Sequence, residues 1–581
     1  MRRPVPRAWA ARAETKGMVM RACLVAIASV VLFGGVASSG EGELVLFSRG
    51  VMEDIGEKEK PEDGERGGQL KEVKLYALRG EYEPFTFAFH NNGTEPLKLK
   101  ATVRDLLHDT SGTGMIKIPA SEIEIMGLRK GGKLHRRTVK DWHLATKGQL
   151  TVPPGRTGRF WVTVHVPEDA PPGGYSGMLD ITDGNRGARI LVRVHVSKAR
   201  LENLADIHFY LLGTVSPYGQ YYRSVKDPAG VRPKVVEFYR EFAAHGMTGI
   251  CPKSSDFPYR EGDIRGLAAE ISAAMEAGLK DPVVWNMQAL IDAAKGGDRY
   301  DFNGRMDNWD DKKGLDRLKR IVQLSQKMRK ERGWPEIIYY QIDEPGTQFD
   351  IRKWLVRSMH ILEVTSKLLG ELGVRSHSTI TEPIDEKHNR APRWSKYPDE
   401  MRKLWDRSRP HLSVRNYGYG YPQGKTNLHS EMADARRRKH EIWFYNNAAI
   451  MGSNRWCARM YWGLWSWRVG LDGVTAWTYP GGRTLQFEMA REGIDDHKAL
   501  KMLQALIEKG AGAAADRDEA KEFLEELRDS VKLNANGYIG DWADVAHQSM
   551  KAQKLGTDWK VVAFGDFKKR LVELIDKLSA R

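Results

Sequence analysis

From Asp206 onward, short apolar runs alternate with amphipathic helical stretches, and this alternation restricts the chain more than any other feature. Eight runs read as strands: Asp206–Leu211, Gly246–Cys251, Pro282–Asn286, Ile337–Ile342, Val374–Thr379, Leu412–Tyr417, Glu441–Asn446 and Gly473–Tyr479. Helical stretches follow them at Val231–Ala244, Leu267–Ala277, Leu315–Arg332, Ile351–Leu372, Glu400–Arg407, His429–Lys439, Asn454–Gly470 and Ile494–Glu508. A helix between two strands returns the chain to the same end of the sheet, so the strands pair in parallel. Eight such units predict a (β/α)8 barrel over residues 204–500. A doubly wound sheet needs fewer strands, and no glycine-rich phosphate loop follows the first one.

The fourth strand runs straight into two carboxylates. Ile337-Ile338-Tyr339-Tyr340-Gln341-Ile342 is followed by Asp343-Glu344 and then stopped by Pro345-Gly346. Asp and Glu are poor strand formers and costly to bury unpaired. Two of them at a C-terminal strand tip, where barrels of this kind carry their sites, point to chemistry. The bland alternative is a helix cap and a loop carboxylate ahead of the helix that starts near Asp350.

Other strand ends carry matching groups. Tyr340 lies in the same strand, Asn286 closes the third, and His377 lies on the fifth. Tyr417 ends the sixth, Tyr445 and Asn446 the seventh, and Trp477 and Tyr479 the eighth. Rings for stacking, with amides for hydrogen bonds, suit a sugar. Singly, Trp and Tyr on strands are more often core, and His377 more often a hydrogen-bonded core histidine. Their shared place at strand ends is what singles them out.

Glycoside cleavage usually needs two carboxyl groups on opposite sides of the bond, about 5.5 Å or about 6.5–9.5 Å apart. Neighbours on one strand tip do not straddle a bond easily. They suit the substrate-assisted exception, in which the sugar's own 2-acetamido oxygen attacks the anomeric carbon. Glu344 then acts as the acid, and Asp343 holds the acetamido N–H. Tyr445 or Tyr479 is placed to add a hydrogen bond to that group.

Competing sites are weaker. Asp385-Glu386 stands in a polar loop with Lys387, His388 and Arg390. Asp307, Asp310 and Asp311 offer oxygen ligands for Ca²⁺ but lack EF-hand spacing, so a solvated loop is the plainer reading and no metal or cofactor is expected. Arg459 either faces a carboxylate of the site or forms a structural ion pair.

Ahead of the barrel, residues 43–198 show short alternating runs separated by Gly, Pro and Asn-Gly turns, which predicts an antiparallel β-sandwich. Residues 501–581 are charged with helical spacing and read as a helical appendage. Residues 1–39 read as an export signal: Arg21, the apolar run Leu24–Val36, then Ala37-Ser38-Ser39. The run is short for a membrane span, so a secreted or periplasmic chain is expected, with translation starting at Met1, Met18 or Met20. Net charge is +15. Arg2, Arg3, Arg7, Arg12, Lys16 and Arg21 contribute to it within the leader, and no tract is dense enough for a nucleic-acid groove. Past the leader only Cys251 and Cys457 remain, so no disulfide framework holds the fold.

Several stretches resemble glycoside hydrolase family 123, also known as the domain of unknown function 4091. They are Asp343-Glu344-Pro345, Trp443-Phe444-Tyr445-Asn446, Tyr479-Pro480-Gly481-Gly482 and Phe487-Glu488-Met489-Ala490-Arg491-Glu492-Gly493-Ile494-Asp495-Asp496. The resemblance implies a β-sandwich before a catalytic barrel and an N-acetyl-β-galactosaminidase acting on oligosaccharides or glycoconjugates through Asp343 and Glu344. Gln486 and Glu492 depart from the Arg and Asp frequent in relatives. Three classes therefore stand: this hexosaminidase, a glycosidase on a sugar without an acetamido group using Glu382 or Asp385 as second carboxylate, and a non-catalytic carbohydrate-binding barrel.

Overall fold

The computed structural model describes residues 46–62, 70–110, 116–134, 137–204, 206–213, 229–252, 264–287, 311–345, 352–380, 398–418, 428–451, 455–479, 481–531, 533 and 564–579. The leader, Glu382, Asp385, Glu386, Asp307 and Asp310 lie outside these.

The chain is multidomain in architecture: a pair of mainly antiparallel sheets, a curled parallel sheet and packed helices. The first sheet contains β1 (Leu46–Phe47), β3 (Tyr82–His90), β7 (Ile123–Leu134), β8 (Arg137–Lys147) and β10 (Thr157–His165). The second contains β2 (Glu72–Arg79), β4 (Leu97–Val103), β5 (Leu106–His108), β6 (Lys117–Ile118), β9 (Gln149–Val152), β11 (Gly173–Thr182) and β12 (Gly187–Arg200). Inward residues of both, among them Phe85, Phe87, Phe160, Val162, Leu179 and Val192, form one apolar core. One pair departs from the antiparallel expectation: β2 runs parallel to β12. The Gly-Gly step after Pro171-Pro172 does not end the pairing but opens β11.

The third sheet is parallel throughout, in the order β13 (His208–Leu212), β19 (Gly473–Trp477), β18 (Glu441–Tyr445), β17 (Val414–Gly418), β16 (Ser376–Ile380), β15 (Ile337–Asp343), β14 (Val283–Asn286). The run predicted as the second strand, Gly246–Cys251, forms no regular strand. Gly249 is pressed so closely on Tyr210 that an added Cβ would lie 2.4 Å from the ring, and Gly246 is left-handed. The segment still hydrogen-bonds both edge strands: Thr248 N–H to Phe209 O (3.0 Å), and Val284 and Asn286 N–H to Ile250 and Pro252 O (3.0 and 3.1 Å).

Period-two alternation sorts the strand residues into two layers. Tyr210, Val284, Ile338, Tyr340, Val414, Trp443 and Tyr445 gather with Leu212 and Cys251 on the inner face. Phe209, Leu211, Val283, Ile337, Tyr339, Tyr417, Ile442 and Phe444 face the helices. Cys251 and Cys457 are buried and not joined in a disulfide, and burial pushes the Cys457 thiol up to about 12.

Candidate active site

The site turns on an irregularity in β15. Its register with β16 slips between Tyr340 and Ile342, leaving Gln341 as the extra residue of a β-bulge. Ile338 and Tyr340 point inward and Tyr339 outward, as alternation demands. Beyond the bulge the parity is reversed: Ile342 joins the outer layer and Asp343 turns inward to Tyr340. The buried Gln341 amide fills the gap. Oriented to suit its neighbours, it donates to Tyr339 O (2.6 Å) and His377 O (2.9 Å) and accepts from Ser366 Oγ (2.7 Å).

Asp343 is clamped by two hydroxyls on one oxygen. Its Oδ1 accepts from Tyr340 Oη and from Thr379 Oγ1 (2.5 Å), the residue opposite it on β16. Its Oδ2 has no hydrogen-bond partner among the described residues. Burial first, and then the Asp343 charge, raise the Tyr340 phenol well above its ordinary range, so it stays a donor.

Glu344 takes φ 44°, in the left-handed region that a side chain enters at a cost of about 1–2 kcal/mol. Such strain persists only where the surroundings fix it. Here the Glu344 N–H donates to Thr379 Oγ1 (2.9 Å), and its Oε1 accepts from Tyr445 Oη (2.6 Å). Two consecutive carboxylates thus leave the strand tip held by side chains of two other strands.

The remaining predicted residues divide. Asn286 ends β14 two residues after the inward Val284, on the inner face. Trp477 ends β19 with 45% of its surface exposed, and its backbone N–H donates to Asn447 Oδ1 (3.0 Å). His377 is a fully buried inner residue against Tyr340, with Nε2 3.2 Å from Asn416 Nδ2. Burial, then Arg375, push it down to about 3, so it is neutral. Asn446 is buried at the turn after β18, its N–H on Thr475 O (3.1 Å).

Two expectations are corrected. Tyr417 faces outward, and its hydroxyl donates to Glu431 (2.5 Å) on the helix Leu428–Arg438. Its parity, odd against the inward Val414, sends it there. Tyr479 lies past the strand end and donates to Glu241 (2.8 Å), among Phe238, Phe242 and Phe487. Neither ring joins the acids.

Sequence reasoning missed Thr379 and Thr475. Asn416, which closes the sixth predicted strand ahead of Tyr417, donates through Nδ2 to Thr475 Oγ1 (3.0 Å), beside His377. Thr379, Asn416 and Thr475 share the inward parity of their strands, which was the signal available. Arg459 forms a buried structural pair with Asp496 (2.7 and 3.0 Å), and Asp311 bonds His360 Nε2 (2.8 Å). No cluster of metal-ligating side chains occurs among the described residues.

No family model matches the chain, and no curated protein matches it in sequence. It is similar in structure to a family 123 glycoside hydrolase from Clostridium perfringens, described for glycolipid glycan hydrolysis. That match has 13% identity and a TM-score of 0.55, and covers 88% of this chain and 96% of that one. Two other likenesses have TM-scores of 0.29 and carry no weight. One is a termite-gut GH10 xylanase with a bacterial Ig-like domain (10% identity, 74% and 100% covered). The other is a sugar phosphate isomerase/epimerase from Parabacteroides distasonis (13% identity, 51% and 96% covered). The resemblance to family 123 seen in the sequence is thus matched by a shared fold.

Proposed function

We propose that the chain is an exported glycoside hydrolase that removes terminal β-linked N-acetylhexosamine, N-acetylgalactosamine foremost, with retention and substrate assistance. The observation that carries this is the bulged tip of β15, which delivers Asp343 and Glu344 together on the inner side of the sheet. In this reading the segment at Gly246–Cys251 serves as the eighth stave of a (β/α)8 barrel. The apolar leader of residues 18–39 directs export, and the shared fold with a glycoside hydrolase supports a sugar substrate.

Glu344 protonates the leaving oxygen while the acetamido oxygen attacks the anomeric carbon. Asp343, fixed through Oδ1, offers Oδ2 to the acetamido N–H and stabilises the positive oxazolinium. Glu344, now ionised, takes a proton from the water that opens the ring, returning the β-anomer. Tyr445 orients Glu344. Trp477 stacks on the sugar, and Asn286 bonds its hydroxyls.

The test is hydrolysis of aryl β-N-acetylgalactosaminide, β-N-acetylglucosaminide and β-galactoside by wild type, Glu344→Gln and Asp343→Asn. Turnover of the acetamido sugars, reduced about 10²–10⁴-fold in each variant, is expected. Turnover of the plain galactoside alone would overturn the mechanism, and sugar binding without turnover would favour a non-catalytic barrel.

A further inference from the structure

We infer that Thr379 is a positioning residue that sets both acids at once; this rests on the reading of Asp343 and Glu344 as the reacting pair. Thr379 is buried on β16 opposite Asp343. Its hydroxyl has one proton and two lone pairs. The proton goes to Asp343 Oδ1 at 2.5 Å, because the Glu344 N–H already points at the oxygen from 2.9 Å and must donate. The Tyr340 hydroxyl, 2.8 Å from Thr379, also gives its proton to Asp343 Oδ1.

Two consequences follow. Both donors converge on Oδ1, so the rotamer of Asp343 is fixed and Oδ2 is the oxygen presented to a ligand N–H. The same Thr379 oxygen holds the Glu344 N–H, and with it the left-handed backbone at φ 44° that aims the Glu344 carboxyl. A single hydroxyl therefore couples the side-chain angle of one acid to the backbone of the next. Neither acid moves independently while it is present. Thr379 touches no reacting atom in this scheme, so its effect belongs to orientation, which governs the chemical step more than substrate capture.

Thr379→Val keeps the shape and removes the hydroxyl, and Thr379→Ser keeps the hydroxyl. The experiment measures kcat and KM of full-length wild type and both variants on aryl β-N-acetylhexosaminides, with thermal unfolding of each recorded alongside. The expected result is a fall in kcat of about 10–100-fold for Thr379→Val, with KM within about threefold and most of kcat regained in Thr379→Ser. Wild-type kcat in Thr379→Val overturns this inference alone, as does equal loss in both variants. No turnover by the wild-type protein overturns the reading of the site and this inference with it. If Thr379→Val does not fold, the Ser variant decides: kcat as low as that of Glu344→Gln overturns the inference, and near-wild-type kcat supports it.

Discussion

Glu344 is a carboxylate on a backbone that favours glycine. Its φ of 44° disfavours any Cβ, yet its side chain and N–H are both tied to neighbouring strands. Comparing Glu344→Gly with Glu344→Ala isolates that backbone cost, since both lose the carboxylate. The glycine variant is expected to be more stable by about 1 kcal/mol in urea unfolding, and both are expected to be inactive. Equal stability, or a more stable alanine variant, would mean that the left-handed turn is not strained. At this scale Asp343 and Glu344 were legible in the sequence because charge at a strand tip is costly without a use. Thr379 was not, because a threonine in a strand is ordinary. Only its pairing opposite Asp343 gives it a role.

At the scale of the element, the bulge in β15 is what strict alternation hides. With Ile338 and Tyr340 inward, an unbroken strand would turn Ile342 inward and Asp343 out toward the helices. Gln341 is the extra residue, and its amide bonds one carbonyl on each strand, Tyr339 O and His377 O. Gln341→Leu leaves those carbonyls without their amide, and is expected to cost about 1–3 kcal/mol in urea unfolding and to lower kcat. Unchanged stability would show that the bulge does not depend on the amide. The parallel alternation was readable because apolar strands and amphipathic helices differ in period. Gly246–Cys251 was overread, since its apolar pattern says nothing about the crowding of Gly249 on Tyr210. Tyr417 and Tyr479 were misplaced for a related reason: lying near a strand end does not fix which face a ring takes.

Across the whole molecule, the stretch Phe487–Asp496 that resembled family 123 lies in a buried helix, Leu485–Glu508, away from the acids. It joins the parts of the fold. Leu144 N–H of β8 donates to Arg483 O (2.9 Å), and Arg483 pairs with Glu124 and Glu488. Lys568, from the C-terminal helix Phe564–Leu578, is buried against Glu81 and Glu83. This crowding of acids makes stability depend on pH. Burial, then the Glu81 charge, push Asp495 up to about 7, and burial pushes Glu83 up to about 8 against the pull of Lys568. The folded protein thus keeps protons that the unfolded chain releases near about pH 4. The stability these groups confer is present below about pH 4 and is lost as pH rises through about 7 to 8. Asp495→Asn removes one of these titrations. The wild-type melting temperature is expected to fall relative to the variant between about pH 4 and about pH 7. A difference that is flat with pH would contradict the assignment.

The most direct test of the proposed chemistry varies the nucleophile itself. Aryl β-N-acylhexosaminides carrying acetyl, fluoroacetyl, difluoroacetyl and trifluoroacetyl groups grade the electron density on the attacking oxygen while barely changing the leaving group. If the acetamido group attacks while Asp343 holds its N–H, log kcat/KM of the wild-type enzyme falls steeply and steadily with fluorination. A flat series would contradict substrate assistance by this pair of acids.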